Sequence, residues 1–211
     1  MVSVIRRQIP ILALVALFSA FLTAPVSAYY GDSADVVEKK RMRIGLSGCV
    51  ATRPGILGLF SGGVGVTDWA SVHLNAGFGT TDRAANAAWV GADFKALISE
   101  FFGGTDNVAV FAGPVWNRDF GGRSGVMLTT KWKFLQFNTG LDTLFWFSGP
   151  ATERFNLQFL IGAKIREKID FLKMQRLTPS AVIEVAVPMT PGTGYAFTLG
   201  LHYDLDYKVA R

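Results

Sequence analysis

From Tyr195 to Lys208 apolar and polar residues alternate. Tyr195, Phe197, Leu199, Leu201, Tyr203, Leu205 and Tyr207 stand against Ala196, Thr198, Gly200, His202, Asp204, Asp206 and Lys208. Successive side chains of a strand leave on opposite faces, so this period of two describes a strand with one greasy side and one polar side; a helix repeats at 3.6. The length is as telling as the period. Strands of soluble sheets are commonly ~5–6 residues long, whereas a tilted strand crossing a bilayer needs ~9–11. The segment therefore predicts a membrane-crossing strand.

The same pattern recurs upstream. Phe155, Leu157, Phe159, Ile161, Ala163 and Ile165 oppose Asn156, Gln158, Gly162, Lys164 and Arg166, with Leu160 as the apolar exception. Phe137, Leu141, Phe145 and Phe147 alternate with Asn138, Gly140, Asp142 and Trp146, and Val126, Leu128, Trp132 and Phe134 with Met127, Thr129, Lys131 and Lys133. Val72, Leu74, Ala76 and Phe78 oppose His73, Asn75 and Gly77; Ala88, Val90, Ala92 and Phe94 oppose Trp89, Gly91, Asp93 and Lys95. Turn-forming residues then divide the chain into strands near 42–50, 56–66, 69–79, 87–97, 107–116, 125–134, 137–147, 155–166, 175–187 and 195–208. The connections include Thr80 to Asn86 and Asn117 to Arg123. The expectation is an all-β, closed antiparallel up-and-down transmembrane barrel of about ten strands, with eight as the alternative.

An N-terminal stretch fixes the compartment. Arg6 and Arg7, the apolar run Ile11 to Phe18 and the small-residue end Val26-Ser27-Ala28 read as a signal peptide over residues 1–28. A short periplasmic arm over 29–41 and a barrel domain over 42–211 would follow. The chain is 50% hydrophobic and 13% aromatic with 23 glycines, yet beyond residue 28 it lacks the run of ~18 apolar residues that a spanning helix needs. Removing Arg6 and Arg7 lowers the formal charge from +5 to +3, too small and scattered an excess for nucleic acid. A lone cysteine, Cys49, excludes an intramolecular disulfide.

Alternation does not say which face points inward. About ten strands' worth of Phe, Trp, Tyr and Leu would crowd a small lumen, and aromatics gather near strand ends as they do at the two surfaces of a bilayer. A soluble periplasmic lipid-binding barrel is the competing arrangement. On the signal, the length and the repeated amphipathic strands, with Gly63-Val64-Gly65-Val66-Thr67-Asp68-Trp69-Ala70-Ser71-Val72 as a strand, tight turn and strand, the chain resembles small bacterial outer-membrane β-barrel proteins. That resemblance implies a Gram-negative outer-membrane location, membrane lipids and the outer-membrane assembly machinery as partners, and a porin-like wall. Members usually end on Phe or Trp; this chain ends Tyr207-Lys208-Val209-Ala210-Arg211, with Tyr207 nearest to that role.

Chemistry-bearing residues are few. Leu46-Ser47-Gly48-Cys49 spells a lipobox, but Lys39-Lys40-Arg41-Met42-Arg43 stands where its apolar signal core would have to be, so Cys49 reads as a small strand residue. Ser71 and His73 share a strand face; their backbones lie about 7 Å apart and no local carboxylate orients the ring, so polar lining is expected rather than catalysis. His73 and His202 lack metal-site spacing, and no cofactor is expected. Gly103-Gly104 and Gly121-Gly122 read as turns, and Gly62, Gly65, Gly77, Gly140, Gly162 and Gly200 as strand glycines that ease curvature. The inward polar set is Asp93, Lys95, Lys131, Lys133, Asp142, Lys164, Arg166, Arg176, Glu184, His202, Asp204 and Asp206. Its mixed signs predict a cross-linked, largely closed lumen, with Arg176 roughly opposite Asp206. Two roles stay open: a structural or interaction protein, and a narrow channel or transporter for small solutes or apolar ligands.

Overall fold

The computed structural model describes residues 34–51, 55–81, 84–101, 105–117, 119–148, 154–165, 177–190 and 194–206. They form ten strands: β1 (Arg41–Ala51), β2 (Gly55–Gly65), β3 (Ala70–Thr81), β4 (Ala84–Phe101), β5 (Asp106–Asn117), β6 (Asp119–Trp132), β7 (Leu135–Trp146), β8 (Phe155–Ile165), β9 (Leu177–Pro188) and β10 (Ala196–Asp206). Each pairs antiparallel with its chain neighbour, and β1 closes on β10 from Arg41 opposite Asp206 to Ala51 opposite Ala196. The barrel has no open edge. Because the strand number is even, residues 34–41 and Asp206 share one end, here the near end.

Two connections are tighter than composition suggests. The expected turn over Thr80 to Asn86 is largely strand, with Thr81 paired to Ala84 across two residues. The expected turn over Asn117 to Arg123 is also strand, since Asn117 pairs with Asp119 and Gly121 and Gly122 pair with Trp146 and Phe145. Polar and glycine-rich local sequence was overridden by pairing on both sides.

Side-chain alternation sorts the wall into two chemistries. Outward lie Leu46, Phe60, Leu74, Phe78, Phe94, Trp116, Leu128, Phe137, Phe155, Ile183 and Leu199, with Phe78 65% and Leu199 55% exposed. Inward, Lys95 is fully buried and Glu184 nearly so. Trp69, Trp132 and Phe134 ring the outside at the near end, and Trp116, Phe120, Phe147 and Phe155 at the far end. There Phe120 stacks on Phe147 with centroids 5.6 Å apart.

Inward glycines are steric seats. Gly77 faces Trp89, Gly125 faces Phe111, Gly140 faces Met127, Gly63 faces His73 and Gly45 faces His202, each pair directly opposed across neighbouring strands. A Cβ at any of these glycines would collide with the facing side chain. Large inward groups therefore lie flat against the adjoining strand, which fills the lumen without expanding it.

Candidate functional site

The lumen is graded along its axis. Toward the far end the inward residues are largely apolar: Cys49, Ala51, Leu57, Leu59, Ala186 and Ala196 are buried, with Trp89 packed against that cluster. Midway, Arg123 on β6 is the hub. Its Nε donates to Asp142 Oδ1 of β7 at 2.9 Å and its NH1 to Asp93 Oδ2 of β4 at 3.2 Å, while the guanidinium lies 4.7 Å over the Phe111 ring of β5. Asn75 of β3 donates to the same Asp93 oxygen at 2.7 Å. One cation thus ties together the inner faces of four adjacent strands, β4 to β7. A planar fork with several donors suits that task better than an ammonium would.

At the near end Arg43 of β1 pairs with Asp204 of β10, Nε to Oδ1 at 2.6 Å, and so fastens the closing seam. Beside it the chain that precedes β1 is folded into the lumen. Ala34 and Val37 are buried, the Ala34 N–H donates to Thr129 Oγ1 at 2.7 Å, and Thr129 in turn donates to Asn138 Oδ1 at 2.8 Å. Asp35 Oδ1 lies 2.9 Å from Lys131 Nζ and accepts from Asn107 Nδ2 at 2.9 Å. Burial pushes the Asp35 carboxyl up, but the Lys131 ammonium, its hydrogen bond and the fields of Arg43 and Lys164 hold it below the ordinary carboxylate value. A tight turn reverses the arm into β1, with the Arg41 N–H donating to Glu38 O at 3.0 Å and Lys40 in the left-handed region at φ 66°. Glycine at 65 is required there, since a Cβ would strike the Glu38 carbonyl.

Of the residues expected in the lumen, Asp93, Lys95, Asp142, Lys164, Glu184 and His202 are buried on the inner wall, and Lys131 and Asp204 lie part-buried at the near end. Lys133 does not belong there. It is the first of two turn residues between β6 and β7, with φ 51°, exposed, its ammonium 5.7 Å from the Trp132 ring. A two-residue hairpin turn ends the pleat, so the face rule stops at Trp132. Arg166 and Arg176 lie outside the described residues, as does the Asp206 side chain, so their expected pairing does too; the described register ends at Leu205 opposite Leu177. Arg123, Arg43 and Asp35 are the residues that sequence reasoning missed.

The serine–histidine pair needs a correction. Ser71 Oγ and His73 Nε2 are 2.8 Å apart, because an imidazole leaning along its strand spans the backbone separation. The bond does not make a nucleophile accessible: Ser71 is fully buried and the other ring nitrogen faces Gly63. Asp93 stands opposite His73 in register, and its oxygen Oδ2 receives Asn75 and Arg123. Cys49 is a buried strand residue, as its context implies. Among the described residues no group of three or more His, Cys, Asp or Glu could hold a metal ion.

The sequence matches no protein-family model and no curated protein. Two solved structures resemble the chain in outline. The N-terminal β-barrel domain of Pseudomonas aeruginosa OprF shares 12% identity at a TM-score of 0.37, covering 79% of this chain and 98% of that one. The KdgM porin, solved in complex with disordered oligogalacturonate, shares 8% identity at a TM-score of 0.44, covering 77% and 98%. What the arrangement can do chemically rests on its own geometry: an apolar outer wall, a charge-braced interior, and a near end whose cationic wall groups hold a carboxylate.

Proposed function

We propose that the protein is a small bacterial outer-membrane β-barrel with a structural or interaction role, whose charge-lined lumen is closed at rest. The observation that carries this reading is the inverted polarity of the wall. All around the barrel large apolar side chains point out while Lys95, Arg123, Asp142 and Glu184 point in. Water would not tolerate such a surface, and a bilayer favours it. A soluble lipid carrier would need the reverse order, with its greasy face inward. On this reading residues 1–28 direct export, the near end is periplasmic, and lipids and the assembly machinery are the immediate partners.

Closure rests on the Arg123 hub and the seated arm, which together occupy the middle and the near end of the lumen. Paired charges in a poorly hydrated interior favour cross-linking over a continuous water path. Cell fractionation and heat-dependent gel mobility test the membrane barrel, and planar-bilayer recording tests closure. The chain should partition with the outer membrane, migrate faster unheated and pass little current. Recovery as a detergent-free periplasmic protein would refute the barrel reading; a large, steady, ohmic conductance would refute closure and favour the narrow channel.

A further inference from the structure

We propose that the near end of the lumen is a binding site for small carboxylates, which the chain's own arm occupies with Asp35. The proposal rests on the closed-barrel reading above and identifies the solute class that its near end would accept.

The cradle is built by the wall and the carboxylate is not. Lys131 on β6 and Asn107 on β5 each sit 2.9 Å from Asp35 Oδ1, and Arg43 on β1 and Lys164 on β8 add positive field at the same carboxyl. The two donors and the two further cations lie on four strands whose pairing is complete without the arm. Arg43 is already paired with Asp204 across the closing seam, so the direct contacts of the arm's carboxylate with the wall are those to Lys131 and Asn107. The Asp35 side chain is 12% exposed, so it has given up most of its water for these contacts. A bound carboxylate would make the same exchange.

The arm is held by side-chain contacts rather than by a ladder of its own. Its described ties to the wall are the Ala34 N–H to Thr129, Asp35 to Lys131 and Asn107, and one parallel bridge of Lys39 with Gly65, ahead of the tight turn at Lys40. Its buried side chains Ala34 and Val37 are small. Tethering supplies a high effective concentration, and that is what a free solute must overcome. Asp35 thus acts as a built-in competitor whose departure uncovers the site.

Citrate titration by calorimetry in detergent, against sodium chloride of equal ionic strength, tests this. Asp35→Ala should bind citrate about tenfold or more tightly than wild type, in keeping with loss of an intramolecular competitor. Asp35→Ala with Lys131→Gln should lose that binding. Gly65→Ala, whose Cβ unseats the arm while keeping Asp35, provides an independent route to the same gain should Asp35→Ala fold poorly. Equal citrate affinity in wild type and both arm variants would overturn the proposal, as would undiminished binding in the double variant. Detergent-free solubility would instead overturn the membrane reading, and the same titration in buffer would still decide the site.

Discussion

Asp35 shows how a short-range ion pair can report on a larger rearrangement. Its folded pKa is depressed below 3.8, so the seated arm gains stability while the carboxyl is ionised. That gain is complete above the ordinary value and disappears as pH falls through the depressed one. The groups facing it are Lys131, Asn107, Arg43 and Lys164. A nitroxide at Glu38 should therefore be immobile at neutral pH and gain mobility only once pH has fallen below the ordinary carboxylate value; mobility that stays unchanged to the lowest pH at which the barrel remains folded would contradict this. Arg123 is a second residue-scale test. Its removal takes from the buried Asp93 and Asp142 the guanidinium they share, so Arg123→Ala should cost roughly 3–5 kcal/mol in urea titrations of the lipid-folded protein, and Arg123→Met less. A cost under about 1 kcal/mol for Arg123→Ala would dismiss the hub, since that is the worth of an exposed pair. Sequence reasoning set Arg123 in a turn because Gly121 and Gly122 precede it, and glycine pairs carry turn character locally whatever the sheet later imposes.

Strands were the legible level. Period-two patterning marked six of them and turn-forming residues bounded the other four, since alternation and turn chemistry are local properties of each segment and survive without knowledge of its neighbours. What it could not supply is anything set by cross-strand register. The glycine seats depend on which residue stands opposite, as Gly77 does to Trp89. The arm's descent into the lumen likewise leaves no periodic trace, being made by Ala34, Asp35 and Val37 contacting three strands distant in sequence. The seats make a contrasting prediction for chemically identical changes. Gly77→Ala sets a methyl against the Trp89 indole and should cost about 1–3 kcal/mol as overpacking, whereas Gly48→Ala enters open space on the outer wall and should be neutral or slightly stabilising. Equal unfolding midpoints for the two variants would remove the seat explanation.

For the whole molecule, the wall's inverted polarity is the observation on which the proposed membrane location and the pairing of charges inside both rest. Leu199→Arg, at a position 55% exposed on the outer face, should cost roughly 2–4 kcal/mol in a bilayer if it lies near mid-membrane. The most direct measurement is a nitroxide scan from Phe197 to Leu201 in bilayer-reconstituted protein, with Cys49 replaced by serine. Oxygen, which concentrates in lipid, should relax labels at 197, 199 and 201 strongly and those at 198 and 200 weakly. Strong relaxation by a water-soluble nickel reagent at 197, 199 and 201 would mean that this face meets water, and the membrane barrel would be refuted.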